Sequence, residues 1–407
     1  MEAIMKDTYI SEAVKYIGAD DTTLDLFESQ YQIPNGVSYN SYVILDEKVA
    51  VMDTIDERKT DEWFANLENV LNGRTVDYLV ISHLEPDHAA NIKRAADKFP
   101  QAQLVLSAKA KAMLPQFFDI AHLEERCLVV KEGDTLELGT HKLHFVMAPM
   151  VHWPEVMVEY EETEKILFSA DAFGSFGSLH GHVFADEIDY KSAYTDEMRR
   201  YYTNIVGKYG TQVSAVLKKA ATLEISTICP LHGFVWRKDL AYPLGLYTLW
   251  ANYKPEKKGV LVCYSSIYGN TENAADVFAA KLCDGGIKNL AVYDVSKTDA
   301  SYLVAEAFRY SHIAFFASTY NAGLFPKTEY LVNELISHNL KNRTFAFAES
   351  GSWAPVTANK LKEKLSALGG AKFLEVQTKI NCALNGDSLL ALENTANAVI
   401  ADLKAEN

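Results

Sequence analysis

The apolar residues keep two different rhythms along the chain. GVLVCYSS, KNLAVYDV, SHIAFFAS, RTFAFAES and AKFLEVQT are five short apolar runs; a helical-looking stretch follows each of the first four, and SLLALENTANAVIADLKAEN closes the series. Strand-sized runs alternating with helices predict a five-stranded, doubly wound parallel sheet. The earlier rhythm is less even. Strand candidates lie at SYNSYVIL, KVAVMDT, DYLVIS, QLVLSA, CLVVKEG, HKLHFVMA, VMVEYEE and KILFSAD, with helical spacing in ERKTDEWFANLENVL and across TDEMRRYYTNIVGKYGTQVSAVLKKAAT. Clustered strands interrupted by helices predict an α+β or sandwich-type domain. Between the two rhythms, Tyr253-Lys254-Pro255-Glu256-Lys257-Lys258-Gly259 is short, charged and proline-containing, which places a boundary between a domain of residues 1–253 and one of residues 254–407. The chain contains no internal repeat.

Composition narrows the class. With 407 residues, 48% of them hydrophobic, a large buried core is available and disorder is not expected. No run reaches the roughly 18 to 20 apolar residues of a membrane helix. MEAIMKDTYI lacks a basic stretch followed by an apolar one, so a cytoplasmic enzyme away from the membrane is expected. The five cysteines, Cys127, Cys229, Cys263, Cys283 and Cys382, are scattered, which argues against a thiolate metal site. The formal charge of -15 opposes attraction to nucleic acid, and because residues 254–407 hold 16 basic and 16 acidic residues, the surplus falls wholly on residues 1–253.

Chemistry concentrates in His83-Leu84-Glu85-Pro86-Asp87-His88, where the apolar run DYLVIS opens into a loop. His152, Asp171 and His232 each follow a further strand candidate. Burying four imidazoles and three carboxylates together would be costly without a cation. The three negative charges beside neutral histidines are neutralised by two divalent ions and one bridging hydroxide, and Asp171 is the natural bridging carboxylate. Nitrogen with carboxylate oxygen and no sulfur suits iron, manganese or zinc.

A second site is signalled after GVLVCY, where Ser265-Ser266-Ile267-Tyr268-Gly269-Asn270-Thr271 opens a helix. Backbone N–H groups and hydroxyls at a helix N-terminus bind phosphate, and the absence of lysine or arginine sets this loop apart from a nucleotide-triphosphate loop. Thr319, Tyr320, Asn321 and Gly323 end the third run, and Ser350, Gly351 and Trp353 end the fourth. In a sheet of order 2-1-3-4-5 these loops border the binding crevice. No Gly-x-Gly-x-x-Gly follows a strand, so a nicotinamide site has no support.

A strand followed by His-x-Glu-x-Asp-His and later His, Asp and His resembles the flavodiiron proteins, and residues 254–407 resemble flavodoxin. That resemblance implies an α+β metallo-β-lactamase-like αββα sandwich followed by an α/β flavodoxin-like sheet, in the family's simplest two-domain arrangement. It implies a non-haem di-iron centre, with His83, Glu85 and His152 on one iron, Asp87, His88 and His232 on the other, and Asp171 with a hydroxide or oxo group between them. FMN would lie with its phosphate at Ser265, Ser266, Tyr268, Gly269, Asn270 and Thr271 and its ring at the loops of Thr319 and Ser350, Trp353 stacking on it. The implied activity is reduction of dioxygen to water or of nitric oxide to nitrous oxide. Electrons would come from outside, from rubredoxin or a reduced deazaflavin, in a head-to-tail homodimer or a dimer of dimers. Tyr201 and Tyr202 are candidates to donate a proton or hydrogen bond near the gas, and Lys360, Lys362 and Lys364 form a basic cluster facing a carrier or solvent. The alternative is a zinc-dependent hydrolase of the metallo-β-lactamase fold with a flavodoxin module. Glu85 counts against it, since zinc hydrolases of that fold usually carry a histidine there.

Overall fold

The computed structural model describes residues 8–405. Two compact units emerge, one running up to Tyr202 and including Thr211–Tyr247, the other made of Thr203–Gly210 and the chain from Thr248 onward. The boundary expected after Tyr253 lies just beyond that second junction.

The first unit contains a seven-stranded and a five-stranded sheet. The larger runs in the order Thr8–Tyr9, Val14–Tyr16, Tyr42–Leu45, Val49–Met52, Tyr78–Ile81, Gln103–Ser107, Cys127–Val130. Tyr78–Ile81 lies parallel to both its neighbours, and its Leu79, Val80 and Ile81 are buried, as an apolar run without alternation requires. Helix Thr60–Leu71 turns Trp63, Leu67 and Leu71 inward at helical spacing and stops at Asn72 in the left-handed conformation. The smaller sheet takes the order Thr135–Glu137, Lys142–Met147, Met157–Glu161, Ile166–Phe168, Thr227–Cys229. The strands leading to His83, Asp171 and His232 therefore belong to two sheets. Cross-links between these sheets include the Ser82 hydroxyl donating to Glu159 at 2.9 Å and the Met157 N–H to the Ser82 carbonyl at 3.2 Å.

The single helical run expected over 195–222 is interrupted. Thr195–Tyr201 and Gly210–Ala220 are α-helices, but Tyr202–Val206 forms a wider π turn and Gly207–Tyr209 a tight 3-10 turn. Thr203, Asn204, Val206 and Gly207 are all weak helix formers, so little opposes the change of pitch.

In the second unit the parallel order is Leu290–Asp294, Lys257–Ser265, Tyr310–Ser318, Thr344–Ser350, with a fifth position beyond. This is the expected 2-1-3-4-5 arrangement. The fifth run differs: Lys372–Phe373 and Thr378–Ile380 pair separately with Thr344–Ser350, because two extra residues between the registers push the intervening segment out of the ladder. Val260, Val262, Phe278, Leu282, Phe316 and Leu392 lie in the core on one face of the sheet.

Candidate metal centre and flavin cleft

The turn after Tyr78–Ile81 is held from below. Asp53, in the left-handed region at φ 54°, accepts the Ser82 N–H at 2.8 Å and the His83 N–H at 3.4 Å. Glu85 is the last extended residue before Pro86 opens a single helical turn, Pro86–Ala89. Proline suits that position because its missing N–H would have no partner there. The His88 carbonyl accepts from the Thr54 N–H at 3.0 Å and from its hydroxyl at 2.6 Å. His232 is seated from behind, its Nδ1 donating to the Ser38 carbonyl at 2.7 Å. Gly233 next to it has φ 75°, and a Cβ there would lie 2.3 Å from the Ser175 hydroxyl.

All seven residues of the His83–His232 set are brought together, in two groups. His83, Glu85, His152 and Asp171 offer ligand atoms within 4.8 Å of one another, as do Asp87, His88 and His232. Asp171 faces both. Its Oδ2 lies 3.2 Å from His83 Nε2 and 3.4 Å from His152 Nε2, while its Oδ1 lies 3.2 Å from His88 Nε2 and 3.8 Å from His232 Nε2. Within the groups, Glu85 Oε2 is 3.3 Å from His83 and 2.9 Å from His152, and Asp87 Oδ2 is 3.5 Å from His88 and 3.1 Å from His232.

These spacings suit metal ions. Ligand atoms about 2.1 Å from one ion and about a right angle to a tetrahedral angle apart lie about 3.0–3.4 Å from one another. Hydrogen bonding does not account for the arrangement: both Asp87 oxygens, both His88 nitrogens, Asp171 Oδ2 and His232 Nε2 are buried and make no hydrogen bond. Such orphaned atoms would each cost free energy unless an ion met them.

Without metal the cluster compensates its own charge. Burial would push His83 down, but the carboxylates of Asp171, Glu155 and Glu85 beside it hold it well above the ordinary histidine value. His152 is raised to about 9 against its burial by Asp171 and Glu85, and His88 is raised by Asp87 and Asp171. Burial works to raise Asp171, yet His88, His152 and His83 keep it well below the carboxylate range. Glu85 is lowered in the same way by His152 and His83.

Tyr201 is buried and donates to Asp171 Oδ1 at 2.8 Å, with its ring 5.4 Å from that of His232. Tyr202 packs instead edge-on against Tyr247 at 4.8 Å. Sequence reasoning missed Glu155, whose Oε1 accepts from His83 Nδ1 at 2.8 Å and from the Leu84 N–H at 3.0 Å. Its position in the run His152-Trp153-Pro154-Glu155, beside a candidate ligand, is the signal that could have found it. Phe27, edge-on to the His232 ring at 5.4 Å, carried no such signal.

In the second unit the three loops lie at the carboxyl ends of Lys257–Ser265, Tyr310–Ser318 and Thr344–Ser350, which are neighbouring strands. Ser266 accepts the Gly269 N–H at 3.0 Å, and Gly269, at φ 88°, precedes helix Asn270–Asp284. Ser265 and Thr271 are buried and already bonded, to the Thr328 and Ser318 hydroxyls, so they brace the loop, while Tyr268 and Asn270 are exposed. Tyr320 and Gly323 bond across a two-residue turn in which Asn321 and Ala322 both have positive φ. Thr319 donates its N–H to the Ser350 carbonyl at 2.8 Å, and Gly351 donates to Ile380 at 3.1 Å. Tyr268 is 93% exposed, Trp353 70% and Tyr320 45%. Three bare aromatic side chains around one crevice fit a planar ring that would cover them.

Known proteins match in the same two parts. The profile of the ODP family beta lactamase matches residues 37–233 and that of flavodoxin matches residues 262–395. The anaerobic nitric oxide reductase flavorubredoxin of Vibrio vulnificus is 29% identical over 376 residues, 91% of this chain and 75% of that protein. Among solved structures, rubredoxin oxygen:oxidoreductase from the anaerobe Desulfovibrio gigas superimposes with a TM-score of 0.91 at 26% identity, covering 98% of this chain and 99% of the other. The flavodiiron protein of Giardia intestinalis shares the fold, with a TM-score of 0.90 at 24% identity over 98% of each chain. Fold and site thus define an oxidoreductase in which a metallo-β-lactamase-like domain precedes a flavodoxin domain. Within that class the chain resembles the flavodiiron proteins. The flavodoxin domain implies FMN and the flavodiiron neighbours imply a di-iron centre, and the residues present fit both.

Proposed function

We propose that this protein reduces dioxygen to water, nitric oxide to nitrous oxide, or both. The observation that carries the proposal is the placement of two ligand groups on either side of one carboxylate, Asp171. His83, Glu85 and His152 would hold one iron, Asp87, His88 and His232 the other, and Asp171 would give an oxygen to each. When bound, the irons supply electrons and open positions to a diatomic gas, and FMN passes them electrons singly.

The rest is the work of the chain. Tyr201 orients Asp171 through its hydroxyl and places a proton beside the centre. Phe27 and Phe176, packed against each other at 5.4 Å and against Tyr201, keep water from that side. Ser266, Tyr268, Gly269 and Asn270 would receive the FMN phosphate, with Ser265 and Thr271 bracing them, while Thr319, Tyr320, Asn321, Gly323, Ser350, Gly351 and Trp353 would border its ring. The proposed donor is rubredoxin, with a reduced deazaflavin as the other possibility. The proposed assembly is a head-to-tail homodimer, alone or paired, that brings one subunit's FMN to the other's irons.

Protein purified without oxygen is expected to carry about two irons and one FMN per chain and to consume oxygen or nitric oxide with a reduced donor, the ratio of the two rates naming the substrate. Zinc in place of iron, with no gas consumed after reconstitution with ferrous iron, would overturn the proposal.

A further inference from the structure

The two ligand groups differ in what stands behind their histidines. In the first, His83 turns Nε2 toward Glu85 and Asp171, and its outer nitrogen, Nδ1, donates to Glu155 at 2.8 Å. Both side chains are fully buried. Glu155 is itself held in place, because its Oε1 also accepts the Leu84 N–H at 3.0 Å and its carbonyl accepts the Ser107 hydroxyl at 2.8 Å. In the second group, His232 Nδ1 donates only to a neutral acceptor, the Ser38 carbonyl, and His88 Nδ1 makes no hydrogen bond. Among the described residues, His83 is the one member of the seven whose outer nitrogen meets a carboxylate.

A carboxylate behind a ligating imidazole fixes its tautomer and draws the N–H proton outward, which makes the inner nitrogen more basic. A more basic nitrogen favours the more highly charged state of the metal it binds. The first group also spans two segments, Glu85 with His83 on one and His152 on the other, and the loop carrying His152 carries Glu155 three residues later. One loop therefore supplies both a ligand and the anion that orients its neighbour.

We propose that Glu155 is a positioning residue that acts through His83 and makes the centre asymmetric: metal held by His83, Glu85 and His152 is bound more tightly and kept oxidised to lower potential than metal held by Asp87, His88 and His232. The inference rests on the reading of the cluster as a di-iron centre.

The test compares the wild type with Glu155→Gln, which keeps an acceptor but removes the charge, and Glu155→Ala, which removes both. Zinc competition titration of metal-free protein is expected to show one of two sites weakened about 10- to 100-fold in Glu155→Ala and less in Glu155→Gln, with the other site unmoved. A Mössbauer-monitored redox titration of the iron-loaded protein is expected to show one iron's potential rising in Glu155→Gln. A tenfold change in preference for ferric over ferrous iron corresponds to 59 mV. Flavin content and thermal melting of each variant report folding separately. Wild-type zinc affinities and unchanged potentials in well-folded Glu155→Gln and Glu155→Ala would overturn the proposal. Neither readout requires gas turnover, so failure of the proposed activity leaves this test standing, and failure of this test leaves the activity intact.

Discussion

At the residue scale the seven candidate ligands were legible because three of them are carboxylates, a type rarely buried without partners, and four of the seven stand within six consecutive positions behind an apolar strand. Their supports were not legible. Gly233 shows why: only the folded chain brings Ser175 to the spot where its Cβ would stand. Gly233→Ala is expected to destabilise the first domain by about 2–4 kcal/mol, from the left-handed backbone and the clash together, and to weaken metal binding by shifting His232. Chemical denaturation and metal titration check the two parts. Charge in the metal-free cluster gives a second expectation. His152 is raised to about 9, so it is protonated at neutral pH and must lose that proton to ligate. Its raised value stabilises the metal-free fold fully below the ordinary histidine value of about 6.5, and that contribution is lost as pH rises through about 9. Metal binding at neutral pH should then release roughly one proton or more, and apparent affinity should fall about tenfold for each unit by which pH is lowered, for each proton displaced. Calorimetry in buffers of different ionisation enthalpy measures the release; binding without proton release would show His152 outside the ligand set.

At the element scale, strands were read well because an apolar run bounded by turn residues is a local signal. SYNSYVIL, DYLVIS and HKLHFVMA each contain an observed strand. Changes within an element were missed, since they depend on what packs against it. The π turn at Tyr202–Val206 and the split of AKFLEVQT into two short ladders both leave the local hydrophobic pattern intact. Arg343 is another feature visible only in three dimensions. It is fully buried, and its guanidinium donates to the carbonyls of Ala307 and Phe308 at the end of helix Ala300–Arg309, to Tyr253, and to Lys341 and Asn342. One side chain thus caps a helix and ties down the segment that enters the flavodoxin domain. Replacing it with methionine preserves much of the bulk but orphans several carbonyls, so Arg343→Met should destabilise this domain by about 3–5 kcal/mol. Thermal unfolding followed through flavin release would show it, and a loss below about 1 kcal/mol would mean that water replaces the guanidinium.

At the scale of the whole molecule, the metal candidates, His83 through His232, and the flavin candidates, Ser265 through Trp353, do not interleave along the chain. The two matched families divide in the same place, between residues 233 and 262. Each site is built on its own sheets, so either should be lost without the other. Asp171→Asn separates them most sharply, because the substituted amide keeps one oxygen but surrenders the charge that both ligand groups face. In this variant iron content should fall and consumption of oxygen or nitric oxide with reduced rubredoxin should stop. FMN content should stay at about one per chain, and reduction of the bound flavin by the donor should proceed at the unaltered rate, because in the proposed route electrons enter at the flavin before they reach the metal centre. Flavin absorbance after rapid mixing with reduced donor reads that step directly. Loss of FMN along with the iron would show the two sites to be coupled in folding, and gas consumption at the original rate would place the chemistry on the flavin instead.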